Sequence, residues 1–240
     1  MIRLATRSSA QARTQAEVVA QSITSATGIP VELVFVETLG DQNKDQPLHQ
    51  IGGQGIFVKE VQQAVLRGDA DIAVHSAKDL PSQNAEGLVI GAWCERRDAR
   101  DALVGKSLND LELGATVATG SVRRRAQLLT VRPDLKFVEL RGNIHTRLEK
   151  IPNKGSIVMA IAAMQVLGIT DRIAEELATT DFVPMVGQGC VAVECREGDH
   201  ETLAAISGID HARTRFAVEI ERAFLAELGA GCSMPVGAYV

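Results

Sequence analysis

The sequence is poor in aromatic residues and has no long hydrophobic run, and both absences exclude functions. Aromatic side chains make up 3% of the 240 residues, too few for a surface on which nucleic-acid bases stack. No apolar run approaches the roughly 18 to 20 residues of a membrane-spanning helix, and the segment MIRLATRSS lacks the apolar stretch of a secretory signal. We therefore expect a cytoplasmic protein without a membrane or nucleic-acid partner.

Cysteine motifs are missing as well. The four cysteines do not form CxxC pairs, so neither a zinc site nor a disulfide framework is indicated; they are Cys94, Cys190, Cys195 and Cys232. The net charge of -5 argues against general nucleic-acid binding, yet arginines cluster in SVRRRAQ and LRGNIHTRLEK. Basic groups concentrated within an acidic protein favour a small anionic ligand, and no metal site is expected.

Apolar strands alternate with helical patterns along the chain. The predicted strands are IRLAT, VELVFVET and DIAVHS in a first set and ATVATG, KFVELR and SIVMAIAA in a second. Two successive sets of this kind predict an α/β fold with parallel or mixed sheets. The polar stretch at 95–107 is expected to cross between two lobes, and the stretch at 186–195 to return. Residues 212–240 read as a helix, a loop and one strand, too little for an independent domain.

Polar side chains follow the ends of four predicted strands. The stretch DIAVHSAKDLP leads from an apolar strand directly into His75, Ser76, Lys78 and Asp79. The other strand ends carry Arg7 with Ser9, Ser121 with Arg123, Arg124 and Arg125, and Arg141 with Arg147. Strand ends are where α/β proteins usually place ligand groups. The alternatives are a surface turn closed by Pro81 and ordinary salt-bridged turns at the arginines.

The triplet Arg123–Arg125 stands in the first turn of a predicted helix. Positive side chains oppose the helix dipole there, at a cost of about a few tenths of a kcal/mol each, unless an anion lies nearby. The pattern therefore favours an anion site made of backbone N–H groups and guanidinium forks, with a solvated run of charge as the alternative. Consecutive helical residues diverge by about 100°, so the three arginines cannot serve one ligand equally.

Asp79 and Cys232 each allow two interpretations. The Asp79 carboxylate lies among cations, where it either neutralises them or stabilises a positive charge on a ligand. Cys232 lies in the small-residue loop GAGCSMP, accessible enough to act as a nucleophile, although an isolated cysteine is more often inert. His75 is more often a packing residue than a catalyst. Taken singly, these residues leave both interpretations open.

Seven motifs, taken in order, resemble those of the porphobilinogen deaminase family: LATRSS, GGQGIFVKE, DIAVHSAKDLP, GSVRRRAQ, LRGNIHTRL, VGQGCVAVECR and GAGCSMPVGAY. The resemblance extends along essentially the entire chain. It implies an α/β fold of two periplasmic-binding-protein-like lobes with mixed sheets around a cleft, plus an incomplete small third α+β domain. It also implies hydroxymethylbilane synthase activity, the head-to-tail condensation of four porphobilinogen units with release of ammonia in tetrapyrrole (haem) biosynthesis.

The resemblance implies roles for individual residues. Cys232 matches the cysteine that carries a dipyrromethane cofactor through a thioether, and Asp79 matches the catalytic carboxylate. The positions that match groups holding the acetates and propionates are Lys78, Ser121, Arg123 and Arg124 for the cofactor, and Arg7, Ser9, Arg141 and Arg147 for the substrate. The implied partner is the small-molecule substrate porphobilinogen, and the expected oligomeric state is a monomer.

The resemblance also implies domain bounds, and the sequence departs from the family pattern at some positions. Domain 1 takes residues 1–94 with 190–207, domain 2 takes 95–189, and domain 3 starts within 212–240. Uncharged residues stand where the family commonly has cations; they are Leu39, Gln50, Gln54 and Val166. These departures keep a second hypothesis open, a non-catalytic or impaired homologue that binds a pyrrole or polycarboxylate ligand in the cleft.

Overall fold

The computed structural model describes residues 1–38, 55, 57–229 and 234–240. Leu39, Gln50, Gln54 and Cys232 lie outside the described residues, so the structure does not test the predictions made for them. The described chain folds around two five-stranded mixed sheets, which confirms the predicted α/β class. Within the described ranges, no helix is long and apolar enough to span a membrane.

The first sheet is built from five strands. They are β1 (Ile2–Arg7), β2 (Val31–Val36), β3 (Ile72–Ser76), β4 (Leu88–Trp93) and β10 (Val191–Arg196). Their order is β2-β1-β3-β10-β4. Strand β1 is parallel to β2 and β3, whereas β10 is antiparallel to both of its neighbours. A late segment of the chain thus returns to the interior of the first sheet.

Helices cover both faces of the first sheet. They are α1 (Ala10–Thr27), α2 (Lys59–Leu66) and α6 (His200–Ser207). Leu4 packs with Ile23 of α1 and Ile206 of α6, while its neighbour Ala5 packs with Val61 of α2 on the opposite face. This alternation is the two-residue period of a strand. Both faces of the sheet are therefore buried, as the continuous apolar character of IRLAT requires.

The second sheet has the same number of strands in a different order. Its strands are β5 (Asp101–Val104), β6 (Thr116–Ala118), β7 (Lys136–Val138), β8 (Ser156–Ala160) and β9 (Ile173–Leu177). The order is β7-β6-β8-β5-β9, with β6 parallel to β7 and β8, and β5 antiparallel to its neighbours. The helices around it are α3 (Val122–Val131), α4 (Ile144–Glu149) and α5 (Ile161–Leu167). Leu103 packs with Leu128 of α3, and Val104 packs with Met164 of α5.

Three predictions about elements are wrong. The sequence predicts a polar crossing at 95–107, but Asp101–Val104 forms β5, whose four residues are all buried. It predicts a single strand over SIVMAIAA, but β8 ends at Ala160 and α5 begins at Ile161. The continuous apolar run hides this boundary, because strand and helix are both buried there. No strand is present at 234–240, where a terminal strand is expected.

Each sheet and the helices around it form one lobe, and the chain crosses between the two lobes twice. The first crossing lies between β4 and β5 and the second between β9 and β10, and the two lie side by side. The Cys94 N–H donates to Val191 O at 2.9 Å, and the Arg97 N–H donates to Gly189 O at 2.9 Å. The first crossing leaves from β4 and the second enters β10, and these strands are neighbours in the first sheet. The crossings therefore form a paired ribbon rather than two independent linkers.

Helix α7 (Ala212–Glu227) packs against this ribbon and against the first lobe. Val218 joins a buried cluster with Trp93. The buried Glu221 carboxylate forms an ion pair with Arg96 of the first crossing and accepts hydrogen bonds from the Gly187 N–H at 2.8 Å and the Val240 N–H at 3.1 Å. One side chain thus joins α7, both crossings and the C-terminal stretch.

Candidate active site

The first lobe supplies two strand ends to the cleft. Because β1 and β3 are parallel, their carboxyl ends meet at one edge of the sheet. Arg7 ends β1, and its guanidinium lies 4.2 Å from the centre of the Phe57 ring. Ser9 follows as the N-cap of α1, where its hydroxyl accepts from the Ala12 N–H at 3.3 Å. Beyond β3, Lys78 and Asp79 lie in the 3-10 turn Ala77–Asp79.

The second lobe supplies two further strand ends. Strands β6 and β7 are parallel, so the residues that follow them share one edge. Ser121 caps α3, its hydroxyl accepting from the Arg124 N–H at 3.4 Å. Arg141 follows β7, and Arg147 of α4 folds back so that its Nε donates to Gly142 O at 2.8 Å. The predicted polar residues of both lobes therefore lie at strand ends, as the sequence indicated.

The negative charge that the sequence predicts beside the arginine triplet is supplied in part by a carboxylate of the protein itself. The Asp101 carboxylate of β5 lies 2.7 Å from Arg123 Nη2 and 2.6 Å from Arg124 Nη2. Arg125 is exposed and instead lies over the Phe137 ring, 5.6 Å from its centre. The divergence of consecutive helical residues explains the split, because only two of the three side chains reach the buried acid.

Lys78 and Arg147 lie close enough to other charged side chains for their pKa values to change. Burial lowers the pKa of the Lys78 ammonium to about 8, with Asp79 and Asp101 opposing the shift and Arg124 and Arg147 adding to it. Burial also lowers the pKa of Arg147, and its neighbour Arg124 lowers it further, against the opposing effect of Asp79. Lys78 and Asp79 of the first lobe and Arg124 and Arg147 of the second lobe thus belong to one electrostatic cluster.

Two guanidinium atoms in this region carry N–H groups without a protein acceptor. Among the described residues, Arg123 Nε and Arg141 Nη1 are buried and make no hydrogen bond. A buried donor without an acceptor is costly. Carboxylates are good acceptors for guanidinium forks, since two oxygens match two N–H groups. The donor set therefore fits a ligand that carries several carboxylates.

A cavity lies between the lobes beside this cluster. Its walls come from α1, the end of β3 with the turn that follows it, the junction of β8 and α5, and both crossings; they include Gln11, Gln15, Ser76, Lys78, Ala160, Ala163, Arg97 and Gly189. Lys78 therefore connects the charged cluster with the interlobe space. Arg7 and Ser9 lie at the same edge of the first sheet, and Cys232 lies outside the described residues.

Asp101 and Gln188 were missed by the sequence analysis. Gln188 Nε2 donates to Ala99 O at 2.7 Å and to Asp101 Oδ1 at 2.8 Å, and both side chains are buried. Asp101 stands in the charged stretch ERRDARDALV, where nothing marks it as more buried than its neighbours. The one signal in the sequence that pointed to a buried acid was the arginine triplet, because clustered buried arginines require an acid from elsewhere in the chain.

Two solved structures that share this architecture are named as binding proteins. The methionine-binding protein MetQ superposes with a TM-score of 0.54 at 17% identity, covering 100% of this chain and 98% of its own. A periplasmic substrate-binding protein of an ABC transporter from Coxiella burnetii superposes with a TM-score of 0.50 at 16% identity, covering 93% and 98%. At such low identity the likeness concerns the fold alone. Fold and site define a two-lobed α/β protein with a cationic interlobe cleft.

Sequence comparison identifies the family within this class. The family models "Porphobilinogen deaminase, dipyromethane cofactor binding domain" and "Porphobilinogen deaminase, C-terminal domain" match residues 2–204 and 215–240. Porphobilinogen deaminases from Geotalea uraniireducens and Thermobifida fusca are 42% and 46% identical, each over 99% of this chain and 76% of its own length. The chain belongs to the porphobilinogen deaminase family.

Proposed function

We propose that the cluster around Lys78, Asp79 and Arg124 is the active site through which this chain acts as a hydroxymethylbilane synthase. As a member of its family, the chain is a transferase that condenses four porphobilinogen units with release of ammonia in tetrapyrrole biosynthesis. The comparisons give no support to the alternative of a non-catalytic homologue. The observation that carries the site assignment is that Lys78 and Arg147, from different lobes, both interact electrostatically with Asp79 and with Arg124, and that Lys78 lines the interlobe cavity.

The cations suit the charge of the substrate. Each porphobilinogen unit carries an acetate and a propionate, so a growing chain gains two negative charges with each addition. Guanidinium groups at fixed positions bind such carboxylates in bidentate fashion. We assign Arg7, Ser9, Arg141 and Arg147 to the substrate. The cofactor is assigned to Lys78, Ser121, Arg123 and Arg124.

The donors present also fit the family's dipyrromethane cofactor. The buried Arg123 Nε is a donor that still requires an acceptor, and the cofactor's carboxylates would supply one; Arg141 Nη1, which also lacks an acceptor, is left to the substrate's carboxylates. When bound, this group provides the pyrrole terminus to which substrate is added. We assign its covalent thioether attachment to Cys232, on the basis of the loop motif GAGCSMP.

Asp79 is assigned the catalytic role. Loss of ammonia from porphobilinogen leaves an electron-poor azafulvene with positive charge spread over the pyrrole ring. A fixed carboxylate facing the ring N–H group stabilises that charge as it develops. The short turn Ala77–Asp79, closed by a hydrogen bond from the Leu80 N–H to Ala77 O at 3.2 Å, holds Asp79 close to the end of β3.

We also propose the domain bounds and the setting in which the chain acts. Domain 1 comprises 1–94 with 190–207, domain 2 comprises 95–189, and domain 3 starts within 212–240. The strand membership of the two sheets supports the first two, because all five strands of each sheet fall within one proposed domain. The protein acts as a cytoplasmic monomer without nucleic-acid or membrane partners.

Asp79→Asn tests the assignment of the catalytic carboxylate. The amide keeps the size of the side chain but not its charge, so kcat for porphobilinogen consumption should fall by about a hundredfold or more with the fold retained. Ammonia release and circular dichroism measure the two properties. Asp69→Asn is the matched control, an exposed aspartate of the same lobe paired with Arg67, and it should leave kcat unchanged. Equal kcat for Asp79→Asn and wild type would remove Asp79 from the mechanism.

A further inference from the structure

Asp101 holds both arginines that the proposed function assigns to the cofactor. Its side chain is 1% exposed, and it stands on β5, between two neighbouring strands in the second sheet. Arg124 donates to Asp101 Oδ1 through Nε at 3.1 Å and Nη2 at 2.6 Å, and Arg123 Nη2 donates to Oδ2 at 2.7 Å. Each carboxylate oxygen therefore faces a different arginine. A strand paired on both sides is a rigid base for such a bridge.

Main-chain carbonyls fix the other side of each guanidinium. Arg124 Nη1 donates to Val158 O of β8 at 3.0 Å, and Arg123 Nη1 donates to Val183 O at 2.7 Å. A guanidinium has five N–H groups in a planar fork. Once these contacts are made, each plane is set and donors remain on each arginine, including the unpaired Arg123 Nε. The orientation of the remaining donors thus follows from Asp101.

The charge of Asp101 matters as much as its geometry. Burial would raise its pKa, but the charges of Arg124 and Arg123 outweigh burial and hold the pKa well below its ordinary value. Without this negative charge, Arg123 and Arg124 would lose their ion-pair partner, and Arg124 also lies close to the cations Lys78 and Arg147. Such a concentration of buried positive charge is strongly destabilising.

We infer that Asp101 is a positioning residue that orients Arg123 and Arg124 toward the carboxylates bound in the cleft and limits the cleft's positive charge. Asp101 touches neither substrate nor cofactor in this role and acts only through the two arginines. Gln188 of the second crossing supports it by donating to Asp101 Oδ1 at 2.8 Å. The inference rests on the proposed function, because it presumes that these arginines bind carboxylates.

Asp101→Asn and Asp101→Glu separate geometry from charge. The asparagine variant should lower kcat/KM for porphobilinogen by roughly ten- to a hundredfold, since misplaced binding groups cost this much. It should also make KM more dependent on ionic strength, because the cleft gains one positive charge. The glutamate variant keeps the charge and should restore the salt dependence of the wild type, with kcat/KM still reduced. Asp134→Asn, which breaks an Arg132 pair elsewhere in the second lobe, should change neither quantity.

A double-mutant cycle with Arg124→Met tests whether Asp101 acts through Arg124. The effect of Asp101→Asn on kcat/KM should be clearly smaller in the Arg124→Met background than in wild type, because the group being positioned is gone. Multiplicative effects would overturn the inference, as would loss of folded protein with unchanged KM and salt dependence. If Arg124→Met itself left kcat/KM unchanged, the arginine assignment in the proposed function would fail instead.

Gln188→Met keeps the inference testable if Asp101→Asn does not fold. It removes one hydrogen bond to Asp101 without changing any charge, so kcat/KM should fall several-fold, in line with the loss of one bond to a charged group, with unaltered salt dependence. Wild-type kcat/KM in both Gln188→Met and Asp101→Glu would show that the position of Asp101 is unimportant. That result would overturn the inference without touching the assignment of Asp79.

Discussion

Lys78 is the lysine of the cleft whose charge changes near neutral pH. Burial lowers the pKa of its ammonium to about 8, whereas the arginines around it stay protonated throughout the accessible range. A lysine in this state is fully charged at slightly acid pH and neutral at mildly alkaline pH. Carboxylate binding in the cleft should therefore weaken within a pH range that enzymes tolerate.

We expect KM for porphobilinogen to rise as pH increases from about 7 to about 9, because Lys78 loses its proton and the cleft that receives the substrate's carboxylates loses one positive charge. Steady-state kinetics across this range measures the effect. Lys78→Met should raise KM at pH 7 and abolish this part of its pH dependence. Lys154→Met, at an exposed lysine of the second lobe, is the control and should follow the wild-type curve. An identical pH profile in Lys78→Met would disprove the role of Lys78.

At the scale of residues, the sequence indicated which side chains lie near the site better than it indicated which side chains pair with one another. The strand-end residues Lys78, Asp79, Arg124 and Arg147 could be selected because polar groups after apolar strands are unusual. Asp101 could not, since its partners stand 22 and 23 positions away in the chain and only the folded sheet brings them together. Which side chains form ion pairs is decided by the tertiary fold, so no local sequence pattern predicts it.

At the scale of elements, the turn before β10 has little steric freedom. Gly189 has φ +87°, and a Cβ there would lie 2.6 Å from Arg97 O in the neighbouring crossing. Gly168, at the end of α5, has φ +65° but no atom within 4 Å of the corresponding Cβ position. The two glycines therefore separate the cost of backbone conformation from the cost of a clash.

Gly189→Ala should lower the free energy of unfolding by about 1–3 kcal/mol more than Gly168→Ala, because it adds a backbone clash to the cost of a positive φ. Urea unfolding followed by circular dichroism measures both values. The alanine at 189 should also weaken the pairing of the crossings, so kcat should fall in this variant alone. Equal losses of unfolding free energy in the two variants would show that the clash with Arg97 O costs nothing, and would contradict the prediction.

The elements that the sequence missed were hidden for two different physical reasons. Strand β5 is flanked by the charged residues of ERRDARD, so its four buried residues look like part of a loop. The boundary between β8 and α5 falls inside an apolar run, where neither strand nor helix periodicity is visible. Regular amphipathic segments such as α1 and α7 were predicted because one face of each meets solvent.

At the scale of the whole molecule, the described elements on either side of Cys232 are both held to the rest of the protein. Helix α7 comes before it in the chain and is held by Glu221, whose carboxylate accepts from the Gly187 N–H. The stretch 234–240 comes after it and is held by the Ala238 N–H, which donates to Pro184 O at 3.1 Å. A cofactor bound to Cys232 and to the arginines of the cleft would add a further connection. Its removal should loosen α7.

The intact mass of protein from a pyrrole-producing host should exceed the sequence mass by one dipyrromethane, and Cys232→Ser should abolish the excess. The same variant should exchange backbone hydrogens faster in residues 212–229, since the additional connection is lost. Cys94→Ser is the control: burial raises the pKa of the Cys94 thiol to about 11, so this cysteine is a poor nucleophile and the excess should persist. A bare sequence mass after incubation with porphobilinogen would contradict the cofactor assignment.

The pairing of the two crossings has a mechanical consequence. The crossings are joined by hydrogen bonds such as Cys94 N–H to Val191 O and Arg97 N–H to Gly189 O, so a rotation of one lobe against the other has to move both crossings together. We expect this coupling to limit the directions in which the lobes rotate, so that a product that lengthens by one unit at a time meets a similar arrangement of groups at each step.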